Sequence, residues 1–270
     1  MAGTESRLFD MTFLDMLACR ESPVHRLDAR AKVLTTFVFV VVVASFDKYA
    51  VVSLLPLFLF PLALVVLARL PLGFLAKRLL LVAPFALLVG VFNPLLDQQT
   101  QLLLGTFEVT GGWLSFASIL LRFTLTVGMA LVLIAVTSFP GICNAIDKLG
   151  APRVFALQLL FLYRYIFVLG EESRRMVRAR NLRSFHGRGN GLKTYGALLT
   201  QLLWRTMARA QRVHKAMLSR GFVGRVPLLQ MKQFAWQDGA FVGLWCSFFV
   251  VVRVLSGSAK LKAWVVELLK

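Results

Sequence analysis

Apolar residues do not alternate with polar ones along this chain but come in long uncharged runs, and their lengths set the first expectations. Spanning a hydrocarbon layer about 30 Å thick takes roughly 20 helical residues. Five runs approach or reach that length: "VLTTFVFVVVVASF" (33–46), 50–68, 79–96, 113–139 and 234–252. The first reaches it only if its helix begins about a turn earlier, near Asp28. Asp47 and Lys48 leave so short a turn between the first two runs that they form an antiparallel hairpin. The predicted fold class is all-α: a polytopic membrane protein with about five transmembrane helices and long cytoplasmic helices between the fourth and fifth.

Between residues 140 and 233 the pattern changes. Glycine and proline break helices, and they cluster in "FPG" (139–141), "GAP" (150–152), "HGRGNG" (186–191) and "RGFVGRVP" (220–227). These breaks predict a short helix near 141–149, a long one near 152–184 and a third near 191–220. Three regions follow: an N-terminal membrane bundle of four spans (1–139), a cytoplasmic helical insert (140–233), and a last span with its tail (234–270).

Composition confirms the setting. Hydrophobic residues make up 58% of the chain and the mean hydropathy is +0.72, too apolar for a domain with a polar surface. Net charge is +18, and its placement gives an orientation, because basic residues are retained on the cytoplasmic side. Lys and Arg number five in residues 1–32, one in 47–49, three in 69–78, none in 97–112, and seventeen against three acids in 140–233. That alternation places the N-terminus and the 140–233 insert in the cytoplasm and the C-terminus outside, although Lys260, Lys262 and Lys270 run against it. A sixth run, 154–170, contains Gln158 and Arg164. Crossing there would carry the following arginines to the outer face, so a helix lying at the membrane surface or against the spans is preferred.

The arginines of the insert need an explanation. Arg205, Arg209, Arg212 and Arg220 share one side of the third helix, with Leu203, Met207, Ala210, Val213 and Met217 opposite. The second carries Arg174, Arg175, Arg178, Arg180 and Arg183. A basic amphipathic helix can lie on anionic lipid, and a cation is favourable in a last helical turn. Neither accounts for nine Arg to one Lys over 174–183 and 205–220. The planar fork of arginine suits carboxylates and carbonyls of a protein partner.

Other chemistry finds little support. Cys19, Cys143 and Cys246 lie far apart, and His25, His186 and His214 form no pair at metal-ligand spacing, so neither disulfides nor a metal site is expected. "GRGNGLKT" (187–194) departs from a phosphate loop, since Leu192 separates glycine from lysine, and no nucleotide is expected to bind this chain. Nothing resembles a catalytic triad or paired carboxylates. No cleaved leader is expected from an N-terminus bearing Asp10, Asp15 and Glu21. Arg122, deep in the fourth run, is equally a functional group or a structural one. Asn93 with Pro94 breaks the third run, and Pro56, Pro61 and Pro84 are further kink sites.

Several stretches in order resemble one family. "SPVHRLDARAKVL" (22–34), "FNPLL" (92–96), the long stretch from Thr137 to Phe185, and "AMLSRGFVGR" (216–225) are similar to the transmembrane T component of energy-coupling factor (ECF) transporters, in its cobalt and nickel, CbiQ-like branch. That resemblance implies a non-catalytic scaffold carrying two Ala-Arg-Gly-like motifs that dock on ATPases. By position these are Ala179, Arg180 and Asn181, with Asn where glycine is usual, and Ser219, Arg220 and Gly221, with Ser where alanine is usual. Arg175, Arg183, Arg209 and Arg212 are supporting basic contacts. The implied partners are two copies of a cytosolic ABC ATPase, which hold ATP and Mg, a cobalt-type substrate-binding membrane subunit, and a small accessory membrane subunit. No nucleic acid, and no cofactor on this chain, is implied. The membrane would be a bacterial or archaeal cell membrane and the cargo cobalt, with nickel or a vitamin as alternatives. A self-sufficient secondary transporter built on Arg122 and Asn93 is the runner-up.

Overall fold

A computed structural model of the chain describes residues 18, 22–47, 51–96, 100–104, 107–184, 191–222 and 234–257. Cys19, His186, the glycines of 187–190, the break at 223–227, the acidic N-terminus and the C-terminal lysines lie outside these residues. The chain divides into two compact units, one of Met1–Ala145 with Lys232–Lys270 and one of Ile146–Met231.

In the first unit, a short helix α1 (Pro23–Arg26) leads to α2 (Ala29–Ala44). Asp28 starts α2 where the sequence required it: its carboxylate accepts the Arg30 N–H at 2.9 Å, satisfying a donor that has no partner within the helix. The second apolar run is broken into α3 (Val51–Leu54), a 3₁₀ turn (Leu55–Phe58) and α4 (Leu59–Leu67), with Pro56 at the tightened turn. The expected break at Asn93–Pro94 is corrected: α5 (Leu72–Leu96) is one α-helix through both Pro84 and Pro94. Proline removes one hydrogen bond, a loss that long apolar helices absorb.

Beyond α5, β1 (Thr100–Leu104) pairs antiparallel with β2 (Phe107–Thr110), in a stretch expected to be a loop without Lys or Arg. It is the one departure from an all-α fold among the described residues. The helix α6 (Gly111–Thr137) follows and packs along α5. Gly90 allows that approach, since a Cβ there would lie 2.8 Å from the Phe116 ring. The last helix of the unit is α10 (Trp236–Gly257).

Aromatic side chains hold these helices together. Phe39 of α2, Phe60 of α4 and Phe249 of α10 are fully buried, with ring centroids 5.1–5.4 Å apart, and Trp245 stands 4.7 Å from Phe60. Leu125, Met129 and Val132 of α6 belong to the same core. Lipid tails are as apolar as these side chains, so close packing and not exclusion of water favours this arrangement. Leu80, Leu81, Phe85 and Leu88 of α5 are correspondingly exposed.

The chain boundary of the two units falls within α7 (Phe139–Lys148), entered through Ser138, whose φ of 58° is unusual for a residue other than glycine. Gly150, at φ 105°, turns the chain out of α7. The second unit contains α8 (Arg153–Arg183) and α9 (Leu192–Ser219).

Four described helices are long and apolar enough to cross a membrane: Leu72–Phe92, Gly111–Thr137, Val154–Arg183 and Trp236–Ser256. The first two expected spans are real helices but shorter, α2 having 16 residues and Val51–Leu67 being interrupted. The sixth run qualifies by length and composition because α8 continues without a break past Gly170, Glu171 and Glu172.

Candidate partner-docking site

The first motif sits in the last turn of α8. Ala179 and Asn181 are exposed and Arg180 is half-buried. The helix closes at Ser184, whose N–H and hydroxyl both donate to the Asn181 carbonyl, at 3.3 and 3.0 Å. Asn181 is still helical, so the backbone here does not need the glycine that is usual at this place.

The second motif is built differently. Arg220 is the C-cap of α9, and Gly221 follows at φ 73°. Phe222 N–H donates to the Met217 carbonyl at 3.1 Å and Gly221 N–H to Leu218 at 3.0 Å, the paired bonds of a Schellman closure. A left-handed residue at this point costs about 1–2 kcal/mol unless it is glycine. Gly221→Ala is therefore expected to fray the end that presents Arg220, read as faster hydrogen exchange over 217–222, with Gly221→Asn milder. Unchanged exchange in the alanine variant would refute this.

Contacts between α8 and α9 fix how the two motifs are disposed. Arg205 donates to Glu172 at 2.6 Å, and the Arg180 guanidinium lies 5.2 Å from the centre of the Tyr195 ring. Moving back along α8 moves forward along α9, so the helices are antiparallel. From Tyr195, beside the first motif, to Arg220 is 25 residues, about 37 Å at 1.5 Å per residue. The motifs therefore stand near opposite ends of α9.

The basic side chains also separate into classes. Arg205 is held by Glu172, while Arg175 reaches Glu171 only at 3.7 Å with both groups exposed, a pair worth little. Arg174 Nε bonds the Gly170 carbonyl at 3.4 Å. Among the described residues the guanidinium groups of Arg178, Arg183, Arg209, Arg212 and Arg220 have no ionic or hydrogen-bonding partner.

The single apolar face expected on α9 is in fact divided. Leu198, Leu202, Val213 and Met217 are half-buried, whereas Leu199, Leu203, Trp204 and Met207 are exposed. Sequence reasoning missed Tyr195 and Glu172. Glutamate placed to meet an arginine on a following helix was a signal available once the two helices were set antiparallel.

In the membrane unit several polar groups are used internally. Arg122 of α6 donates to the carbonyls of Phe46 and Asp47, just past the end of α2, and Arg253 of α10 donates to Ser45 at 3.0 Å while stacking on Phe46. Asp238 is buried at the start of α10, where its carboxylate accepts the N–H groups of Ala235 and Asp28 at 2.8 and 2.7 Å. Lys32, also buried, donates to the Val136 carbonyl near the end of α6. Burial raises the pKa of Cys143, keeping its thiol protonated at neutral pH. His25 is tied to Ser22, and no group of three metal-ligating side chains occurs among the described residues.

A helical membrane bundle joined to an antiparallel pair of cationic helices defines a class: a polytopic membrane protein with an arginine-rich surface apart from its apolar core. Comparison with known proteins gives the family within it. Residues 20–230 match the CbiQ family, described as cobalt transport protein, and the chain belongs to that family. It is similar to proteins named energy-coupling factor transporter transmembrane protein EcfT. The one from Bacillus subtilis is 28% identical over 231 residues, covering 80% of this chain and 86% of that protein. The one from Leuconostoc gelidum is 27% identical over 258 residues, covering 87% and 94%.

Proposed function

We propose that this chain is the T component of an ECF transporter, a non-catalytic membrane subunit that carries motion from partner ATPases to a separate substrate-binding membrane subunit. The observation that supports this most is the spacing of the two motifs. Arg180 and Arg220 stand about 37 Å apart along one helical pair, a distance suited to two protein partners or the two halves of a dimer. Arginine side chains without internal carboxylates, as at Arg220, suit acidic or carbonyl-lined surfaces on those partners. Ala179, Asn181, Ser219 and Gly221 would seat each arginine, with Arg183, Arg209 and Arg212 around them.

The membrane unit supports the same reading in another way. A secondary transporter would need Arg122 for its cargo, but the Nη2 of that guanidinium is engaged with backbone carbonyls. Substrate is therefore assigned to another subunit. The family's description favours cobalt as the cargo, and the positive-inside count favours a cytoplasmic N-terminus in a cell membrane of the bacterial or archaeal type.

The test is purification of the chain after co-expression with the ATPases and membrane subunits of its own source. Native mass spectrometry should find two ATPase copies per chain, and vesicles holding the complex should take up labelled cobalt when ATP is present. Uptake without ATPases would overturn the coupling reading. Uptake of nickel or a vitamin in preference to cobalt would overturn only the choice of cargo.

A further inference from the structure

Two arginines of the membrane unit have no share in docking. α2 and α10 run parallel, since Asp28 bonds Asp238 at their starts and Ser45 bonds Arg253 near their ends; α6 runs against them, with Lys32 on Val136 and Arg122 on Phe46. Arginines from two different helices thus meet at the end of α2, on the carbonyls of Ser45, Phe46 and Asp47. We propose that Arg122 and Arg253 form a binding site for the phosphate group of a membrane phospholipid.

The surplus of positive charge carries the argument. Among the described residues no carboxylate lies within ion-pair distance of either guanidinium, that of Asp47 included. The partial negative charge at the end of α2, about half a unit, offsets only a part of the two full charges. The donors are also incompletely used. Each guanidinium is hydrogen-bonded through its Nη2 alone. Arg122 Nε is buried without a partner, while Arg122 Nη1 and the Nε and Nη1 of Arg253 have none among the described residues and are not buried. A charge within a membrane bundle is costly unless paired, and the guanidinium fork matches the oxygens of a phosphate.

The surroundings supply a bed for the acyl chains. Phe37 and Val41 precede Ser45 at four-residue spacing and make with it one exposed stripe of α2, and Val250 and Val254 are exposed beside Arg253 on α10. A phospholipid whose tails lie on these side chains brings its phosphate to the level where α2 and α10 end. α6 continues past Arg122 for about three turns, to Gly111. This end of α2 is therefore a step beside a taller helix, reached along the apolar stripes.

The delipidated full chain in detergent, titrated with dioleoyl phosphatidylglycerol and read by native mass spectrometry, tests the proposal. The chain is expected to hold one such lipid tightly, and to bind dioleoylglycerol, which has the same tails and no phosphate, at least about tenfold more weakly. Arg253→Gln, which retains a donor for the Ser45 carbonyl, should weaken phosphatidylglycerol binding about tenfold, while Arg253→Lys stays within about threefold of the parent. Millimolar inorganic phosphate should leave the lipid in place. Three results would overturn the inference: equal binding of the two lipids, an Arg253→Gln variant that binds phosphatidylglycerol as the parent does, or displacement by inorganic phosphate, which would make the ligand a free anion. Should Arg253→Gln fail to fold, the comparison of the two lipids on the parent chain decides alone. None of these outcomes depends on the docking role of Arg180 and Arg220.

Discussion

Arg180→Glu combined with Arg220→Glu is expected to abolish co-purification of the ATPases and, with it, ATP-driven uptake. Reversing a charge within a docked surface removes a charge-assisted contact and places like charges against one another, at a cost of about 2–5 kcal/mol for each site. The motifs lie near opposite ends of α9 and share no partner, so their effects should add. Together they exceed what the remaining contacts can offset. Each single variant should retain partial binding, because apolar burial and the other motif remain. Arg175→Glu serves as the comparison, since Arg175 is exposed and only loosely paired with Glu171, and it should weaken binding much less. Helicity and gel-filtration profile should match the parent, as both motif side chains project from helix ends. Intact co-purification of the double variant would sink the assignment.

The second large effect is expected at Arg122. Arg122→Leu would leave the Phe46 and Asp47 carbonyls without this donor. A partly buried polar group that loses its hydrogen bond costs about 1–3 kcal/mol; the Phe46 bond is partly buried and carries that cost, while the Asp47 bond is exposed and adds little. For a chain of this size each kcal/mol shifts the melting midpoint by about 2–4 °C, so a fall of roughly 2–12 °C in detergent is predicted. Arg122→Lys should recover part of it: both bonds come from the single Nη2, and an ammonium likewise offers several donors from one nitrogen, though on a differently shaped stem. A leucine variant as stable as the parent, but inactive in uptake, would instead give Arg122 a direct part in transport.

Much of the fold was legible because glycine, proline and capping residues act locally. Asp28 marked the start of α2, and the Gly-Pro clusters marked both ends of α8. The misreadings have a common cause in context. Pro94 breaks a helix in isolation but not within α5, and the pairing of β1 with β2 was hidden in a stretch that drew notice only for its lack of Lys and Arg. At the site, Arg180 and Arg220 were readable as residues, but their surroundings were not. Arg122 ends on backbone carbonyls, which every residue carries alike, so no sequence pattern could name its partner. Tyr195 became visible only when the antiparallel register set it beside Arg180, fifteen positions earlier in the chain.

The short reach of α2 has a consequence for the surrounding lipid. Its 16 residues rise about 24 Å, roughly 6 Å less than an average hydrocarbon layer. The next segment, Val51–Leu67, has 17 residues and is interrupted by the 3₁₀ turn, so two neighbouring segments are short. Were both to cross, with Arg122 and Arg253 gathered at the end of α2, acyl chains beside them would have to shorten to meet the protein, at a fraction of a kcal/mol per Å. The bilayer there would then carry an elastic load that shorter-chain lipids relieve.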